Sequence, residues 1–180
     1  NTPADNPSSP AAIELGRLLF FDPVLSENND IACASCHHPD LGFSDGLMTA
    51  VGTTGVPVAR NTPSLWNVAF AQNFFWDGRE TSLENQANFP ITHPDEMGVT
   101  DIDDMVLELQ ADAEYVTLFE EAFGGGSEAV SADNVNRALA SFQRTLISDD
   151  SPFDRYAAGD FNALTPQQRR GFPVGCDALF

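Results

Sequence analysis

The segment Cys33-Ala34-Ser35-Cys36-His37 constrains this chain more than any other feature, because it places two thiols and an imidazole close together. Such a segment fits a zinc site, a redox disulfide, a c-type heme, or two structural cysteines beside an unrelated histidine. Zinc needs about four ligands, and the other candidates, Cys176 and His93, are far apart in the sequence. A thioredoxin-like pair would lie in a βαβ unit, whereas Gly, Pro and short helical patterns flank this segment. The segment therefore favours the heme.

The Cys-x-x-Cys-His spacing has a chemical reason in c-type heme proteins. Two thiols on one turn of helix can each add to a heme vinyl group, and the adjacent histidine then lies over the iron. We expect Cys33 and Cys36 to attach one heme c covalently, with His37 as the proximal ligand of the heme iron. His38 is expected to face solvent, because one turn cannot aim two adjacent imidazoles at one iron.

Composition narrows the class of protein. The 180 residues fit one domain or slightly more, and 42% of them are hydrophobic, which is too many for a disordered chain. No run reaches the roughly 18 apolar residues of a membrane span. The net charge is −19, and all eight basic residues are arginines. Such a charge repels nucleic acid and favours a basic protein partner.

Hydrophobic periodicity predicts an all-α fold with long loops and little or no β structure. Helical spacing is clearest in residues 9–22, 101–110, 113–123 and 131–148, and no segment shows convincing strand alternation. Residues 39–63 are rich in Gly, Pro and Thr and are expected to form a long loop with a function.

Three weaker helix signals are also present. A short helix is expected in residues 62–70, entered through Pro63. Thr81 and Glu84 have the spacing of a capping box, which predicts a helix that begins near Ser82. Thr165-Pro166-Gln167-Gln168 predicts a further start, and that helix is expected to end early because Pro173 follows.

Residues 60–98, RNTPSLWNVAFAQNFFWDGRETSLENQANFPITHPDEMG, resemble the bacterial diheme cytochrome c peroxidases and the related MauG-type enzymes. The resemblance extends from LGRLLFFDPVLS through CASCHHPDLGFSDG to LTPQQRRG, which is most of the chain. Its most specific element is FWDGR with Gln86 ten residues after Trp76 and Glu96 ten residues after Gln86. The resemblance implies a cytochrome c-like heme domain, the N-terminal, peroxide-reacting domain of that family.

The resemblance also implies roles for individual residues. Trp76 matches the tryptophan that relays electrons between the two hemes. Gln86 and Glu96 match the distal pair where peroxide binds, and a carboxylate such as Glu96 can serve as general acid and base in O–O cleavage. Asn61 matches a residue that contributes to a calcium site between the heme domains, so Ca²⁺ is a second expected cofactor. His93 is expected on the loop surface.

The chain departs from the family pattern in two places. Many family members carry a histidine in the loop after the heme motif that caps the resting iron, and LMTAVGTTGVPVARN has none. We therefore expect an iron that is five-coordinate or binds water, ready for peroxide. The chain also ends in FPVGCDALF, where relatives continue into a second Cys-x-x-Cys-His. We expect residues 1–163 to form the heme domain and residues 164–180 to begin a truncated connection to a second one.

The function expected from these observations is reduction of hydrogen peroxide, with electrons from a small cytochrome c or cupredoxin, which the charge suggests is basic. Covalent heme attachment and the absence of a leader at Asn1 favour the periplasm or the extracellular side of the cell envelope. One alternative is MauG-type oxidation of a protein partner. Another is a monoheme electron carrier or redox sensor, with Met48 in the loop as a candidate iron ligand. The sequence is also compatible with a homodimer.

Overall fold

The computed structural model describes residues 2–176, and the side chains among them as far as Gly171. The all-α prediction is confirmed: over these residues the chain forms eight α-helices and only isolated β-bridges. The helices are α1 (Pro10–Phe21), α2 (Cys33–Cys36), α3 (Leu83–Thr92), α4 (Ile102–Ala111), α5 (Ala113–Phe123), α6 (Ala132–Gln143), α7 (Pro152–Ala157) and α8 (Pro166–Cys176). Short 3₁₀ helices occupy Pro23–Leu25, Pro39–Leu41, Val68–Phe70 and Gly126–Ala129.

Close packing of α1 against α6 forms the centre of the core. Gly16 of α1 allows this approach, because a Cβ atom there would lie 1.9 Å from the carbonyl oxygen of Ala138. The predicted apolar stripe of α6 is buried, and it meets the buried face of α1. The buried members of the two faces are Ala12, Leu15, Leu19, Phe20, Val135, Ala138, Leu139 and Phe142.

Helices α4 and α5 pack on this pair as a second layer. Asp112 ends α4 and caps the start of α5, where its side chain accepts a hydrogen bond from the backbone N–H of Glu114. The Tyr115 hydroxyl donates to the Asp22 carboxylate at 2.8 Å, which ties α5 to the end of α1. Phe119 is fully buried, as the periodicity of this helix predicts.

The chain divides into two compact units, Asn1–Ile147 and Ser148–Phe180. The first contains α1–α6 and all of the predicted site residues, and the second contains α7 and α8. The predicted connection over residues 164–180 falls in the second unit, and residues 177–180 lie outside the described residues. No helix in the described part of the chain has the length and apolar character needed to cross a membrane.

Two of the weaker helix predictions are wrong. The helix expected from Pro63 is reduced to Val68–Phe70, because the Thr62 carbonyl accepts from the Ser44 hydroxyl and Asn67 adopts a left-handed φ of 61°. In the second unit, α8 continues past Pro173 to Cys176 instead of ending before it.

The predicted start of α3 is confirmed, but the predicted capping box between Thr81 and Glu84 is absent. The helix begins after Ser82, whose hydroxyl accepts from the backbone N–H of Asn85. Glu84 cannot complete a capping box with Thr81, because both of its carboxylate oxygens bind the Arg144 guanidinium of α6.

Candidate functional site

The Cys-x-x-Cys-His segment forms a single turn of helix, α2. The Ser35 hydroxyl accepts a hydrogen bond from the backbone N–H of Ala32 at 3.0 Å, which satisfies a donor at the start of the turn. The backbone N–H of His37 donates to the Cys33 carbonyl at 2.9 Å and closes it. Residues three apart share one face of a helix, so Cys33 and Cys36 lie on the same side of the turn.

Both thiols are free, and their burial favours the protonated form. Burial raises the pKa of the Cys33 thiol to about 12. Burial also raises the pKa of Cys36, and the negative charges of Asp45 and Glu96 add to that rise. Reactive redox cysteines and metal-binding cysteines act as thiolates of lowered pKa, so this environment is unlike theirs.

The His37 ring is oriented by the turn that follows it. Its Nδ1 atom lies 2.9 Å from the Phe43 carbonyl oxygen, which can only accept, so Nδ1 carries the proton and Nε2 presents a lone pair. Phe43 adopts an unusual left-handed φ of 55° directly after Gly42 at 70°, and this turn aims the carbonyl at the imidazole. Burial lowers the pKa of His37, which favours the neutral, metal-binding form.

Four side-chain hydrogen bonds fasten residues 42–47, the first part of the long loop, to residues 61–64. The bonds are Ser44 Oγ to the Thr62 carbonyl, Thr62 Oγ1 to Asp45, Ser64 Oγ to the Gly42 carbonyl and Asn61 Nδ2 to the Leu47 carbonyl, at 2.5–2.8 Å. Hydrogen bonds between its two ends therefore hold this long loop in place, and loops positioned in this way often carry binding residues.

Trp76 lies at the edge of the same loop and is joined to Asn61. Its indole Nε1 donates to the Asn61 carbonyl at 2.8 Å, while 63% of the residue remains exposed. The amide Nδ2 of the exposed Asn61 side chain donates to the Leu47 carbonyl. Two of the predicted site residues are thus in direct contact.

Glu96 is placed by the tight turn that follows α3. Its backbone N–H donates to the His93 carbonyl, and its own carbonyl accepts from the backbone N–H of Thr53 at 2.8 Å. Burial raises the pKa of the Glu96 carboxyl, while the positive charges of His93 and Arg79 oppose the rise. His93 is exposed, as predicted, and its Nδ1 lies 4.0 Å from the Glu96 carboxylate. Burial therefore makes this carboxyl group easier to protonate than an exposed one.

Gln86 lies in the middle of α3 and is half-buried. Within the described residues its side chain makes no hydrogen bond to Glu96, so the structure does not join the two members of the predicted distal pair directly. Pro90 follows four residues later and has no N–H to donate to the Gln86 carbonyl, which opens the helix at this point.

Sequence reasoning missed two charged residues of this region, Asp45 and Arg79. Asp45 influences both Cys36 and His37. Arg79 lies over the Phe75 ring and its charge reaches Glu96. Arg79 is the last letter of the FWDGR motif, so the signal was present, whereas nothing in the spacing of Asp45 distinguishes it from the other acidic residues.

The distribution of exposed apolar side chains fits a heme held at α2. Large hydrophobic residues that remain exposed are concentrated between residues 41 and 89, and Met48 is the extreme at 88%. Exposed apolar surface of this kind marks a ligand or interaction site. Together with two free thiols on one turn and a lone pair on His37 Nε2, it suits a covalently attached heme. These exposed residues are Leu41, Leu47, Met48, Val51, Val56, Trp66, Phe70, Trp76 and Phe89.

Comparisons with known proteins agree with this site. A family model described as di-haem cytochrome c peroxidase matches residues 10–162. The methylamine utilization protein MauG of Methylorubrum extorquens is 48% identical over 98% of this chain, and cytochrome c peroxidase Ccp of Escherichia coli is 38% identical over 96% of it. A crystal structure of a MauG-like protein associated with microbial copper homeostasis superposes with a TM-score of 0.88 at 36% identity, over 96% of this chain.

The match covers only part of each relative. The chain spans 51% of the length of that MauG protein, 36% of that peroxidase and 50% of that solved chain. Family members bind c-type heme, in agreement with α2. With a family match over most of its residues, the chain is a member of the di-haem cytochrome c peroxidase and MauG family.

Proposed function

We propose that this chain is a periplasmic c-type heme peroxidase domain that reduces hydrogen peroxide to water with electrons from a small redox protein. The observation that carries the proposal is Glu96, a partly buried carboxyl residue whose carbonyl accepts a hydrogen bond from Thr53 of the loop that follows the heme-binding turn. An electron carrier needs no titratable acid beside its heme, whereas O–O cleavage needs one.

The heme-binding residues are Cys33 and Cys36, which would form the two thioether bonds, and His37, which would bind the iron through Nε2. When bound, the heme supplies the redox centre at which the O–O bond is broken. The Phe43 carbonyl would fix the His37 ring and increase its strength as a ligand, because it accepts a hydrogen bond from the Nδ1–H group. One heme per chain follows from one Cys-x-x-Cys-His segment.

The distal residues handle protons. Reduction of one hydrogen peroxide consumes two electrons and two protons and yields two water molecules. Glu96, with a pKa raised by burial, can accept a proton from the bound peroxide and return it to the departing oxygen. Gln86 carries no charge and can orient peroxide or water by hydrogen bonding.

Electrons would enter through Trp76, whose exposed indole is held by Asn61. A small cytochrome c or cupredoxin is the expected donor, and a basic one suits the net charge of −19. Because the chain spans about half of its relatives, the second heme domain and a calcium ion at Asn61 belong to the same proposal. We also propose that residues 1–163 form the heme domain and that residues 164–180 begin the connection to a second one.

A second candidate is oxidation of a protein partner, the activity that resemblance to MauG-type enzymes implies. It is favoured by the 48% identity to a MauG protein and by the exposed Trp76 indole, through which an electron could leave a partner. A monoheme carrier or sensor would instead need a ligand such as Met48 on the iron.

The test is the reaction of the heme-loaded chain with hydrogen peroxide, followed by stopped-flow absorption of the heme. The wild type is expected to react rapidly, and Glu96→Gln about 100-fold more slowly, because general acid–base catalysis typically contributes that much. Glu121→Gln, which removes an exposed carboxylate from α5, is the matched control and should react like the wild type. Equal rates for Glu96→Gln and the wild type would overturn the proposal.

A further inference from the structure

The turn that carries Glu96 rests directly on the backbone of the long loop. Gly52 is buried, and a Cβ atom there would lie 2.2 Å from the Asp95 carbonyl oxygen and 2.5 Å from the Glu96 carbonyl oxygen. Backbone atoms leave no room for a side chain at such separations, so glycine is what allows the two segments to approach this closely. The next residue bonds them, because the Thr53 backbone N–H donates to the Glu96 carbonyl at 2.8 Å.

The side chain of Thr53 joins the same place to the segment that leads into α2. Its hydroxyl donates to the Asp30 carboxylate, whose two oxygens lie 3.0 and 2.9 Å away, and it accepts from the Asn28 amide at 3.1 Å. The Asp30 backbone N–H donates in turn to the hydroxyl of the buried Ser26 at 3.1 Å. Asp30 precedes Cys33 of the heme-binding turn by a few residues, so Thr53 connects that segment to Glu96.

A further hydrogen bond makes this connection a closed ring. The Glu27 backbone N–H donates to the carbonyl of Met97, the residue after Glu96, at 3.0 Å. Residues 26–30, 52–53 and 96–97 are therefore each bonded to the other two segments. A closed ring resists displacement of any one member more than a single bond does, because the other contacts must stretch as well.

This ring sets the position of the Glu96 turn relative to α2. In the proposed reaction, the acid must lie within reach of a peroxide on a heme that is attached at α2. A displacement of about 1 Å in such an alignment can cost about 100-fold in rate. Since α2 and Glu96 are far apart in the sequence, only contacts between segments can maintain their separation.

We propose that Thr53 is a positioning residue for the peroxide site, which holds the Glu96 turn at a fixed distance from the heme-binding turn through its bonds to Glu96 and Asp30. This inference rests on the proposed function. The neighbouring Thr54 shows the contrast, because its hydroxyl accepts from the backbone N–H of Val56 at 3.2 Å, a bond within the loop itself.

The experiment measures the rate at which the heme-loaded chain reacts with hydrogen peroxide, by stopped-flow absorption of the heme. Thr53→Val keeps the branched shape and the backbone N–H but loses the hydroxyl. It is expected to react about 10-fold more slowly than the wild type, because the acid is no longer held in alignment. The absorption spectrum of the resting ferric heme should not change, and Thr53→Ser, which keeps the hydroxyl, should restore most of the rate.

A comparison in two backgrounds tests whether Thr53 acts through Glu96. Thr53→Val should slow the wild type but add little to Glu96→Gln, because residues that act as a unit have non-additive effects. Gly52→Ala is a second variant, which places a methyl group against the Asp95 and Glu96 carbonyls. It should show the same pattern, a slower reaction in the wild-type background alone.

Thr54→Val is the matched control, because it removes the same kind of hydroxyl one residue later, and it should react like the wild type. Wild-type rates in Thr53→Val, or an equal slowing by Thr53→Val in the wild-type and Glu96→Gln backgrounds, would overturn the inference. The proposed function fails by a different result, a rate in Glu96→Gln alone that equals the wild-type rate.

Discussion

The Nδ1 atom of His37 lies 2.9 Å from the carbonyl oxygen of Phe43, six residues further along the chain. Because that oxygen can only accept, the contact fixes both the tautomer and the direction of the imidazole. The contact depends on Phe43 in a left-handed conformation and on the loop bonds that hold residues 42–47 against 61–64. The proximal side of the proposed heme site is thus prepared by backbone geometry.

This arrangement predicts that the heme remains attached when its axial histidine is removed. In His37→Gly, Cys33 and Cys36 should still form both thioether bonds, while the absorption spectrum loses the features of histidine ligation. Added imidazole should restore them, because the cavity and the Phe43 carbonyl remain in place. His38→Gln is the control and should leave the spectrum unchanged, since His38 is exposed. Loss of covalent heme in His37→Gly would contradict the prediction.

The contact between α1 and α6 predicts that Gly16→Ala is strongly destabilising. The new Cβ atom would lie 1.9 Å from the Ala138 carbonyl oxygen and 2.5 Å from its carbon, and backbone atoms of a packed helix cannot give way locally. We expect a loss of about 3 kcal/mol in the free energy of unfolding, measured by urea denaturation. Gly171→Ala in α8, where nothing lies within 4 Å, should instead gain about 0.5–1 kcal/mol from helix propensity.

The ion pair between Glu84 and Arg144 predicts a loss of stability in acid. Burial alone would raise the pKa of Glu84, but hydrogen bonds from Arg144 and Asn6 lower it from 4.5 to about 2. A carboxyl group with a lowered pKa in the folded state contributes stability above its unfolded pKa, and that stability disappears as pH falls from about 5 to about 2. With both side chains less than 20% exposed, the contribution is about 3 kcal/mol.

Chemical denaturation between pH 2 and pH 7 measures this effect. In Glu84→Gln the free energy of unfolding should be lower at pH 7 and should vary less over the acid range. Glu14→Gln removes an exposed partner of Arg17 on α1 and serves as the control, with a pH dependence like that of the wild type. If Glu84→Gln kept the full acid dependence of the wild type, other carboxyl groups would have to account for it.

The hydrogen bond from Trp76 to the Asn61 carbonyl predicts separate effects on two steps. In Trp76→Phe, the heme-loaded chain should react with one equivalent of peroxide like the wild type, because Glu96 and α2 are untouched. Its return to the resting state with a small cytochrome c donor should be slower, since the indole is lost from the proposed electron path. Trp66→Phe, whose ring packs on Phe43 instead, is the matched control and should return at the wild-type rate.

Local patterns made much of the fold predictable. The helices α1, α4, α5 and α6 follow apolar spacing, and α2 follows from Cys-x-x-Cys-His, because these signals lie within a few residues of each other. The helix predicted after Pro63 did not form because of contacts with residues distant in the sequence. Its helical hydrogen bonds compete with contacts to residues 42–47, and no local rule reports a partner about 20 residues away.

The residues of the proposed site also divide into those that local patterns could predict and those that they could not. Cys33, Cys36 and His37 were predicted from spacing, and Trp76, Gln86 and Glu96 from resemblance to a family. The Phe43 carbonyl was not predictable, since a left-handed φ at an aromatic residue leaves no mark in the sequence. Glu84 was assigned to a cap because its real partner, Arg144, is 60 residues away.

The central claim is that the heme-loaded chain has an open, acid-equipped site for peroxide. The most direct measurement is the electron paramagnetic resonance spectrum of the ferric chain before and after one equivalent of hydrogen peroxide. We expect a high-spin resting signal that peroxide removes in the wild type and leaves in Glu96→Gln. A low-spin signal that peroxide does not change would contradict it, because a second protein ligand would then occupy the iron.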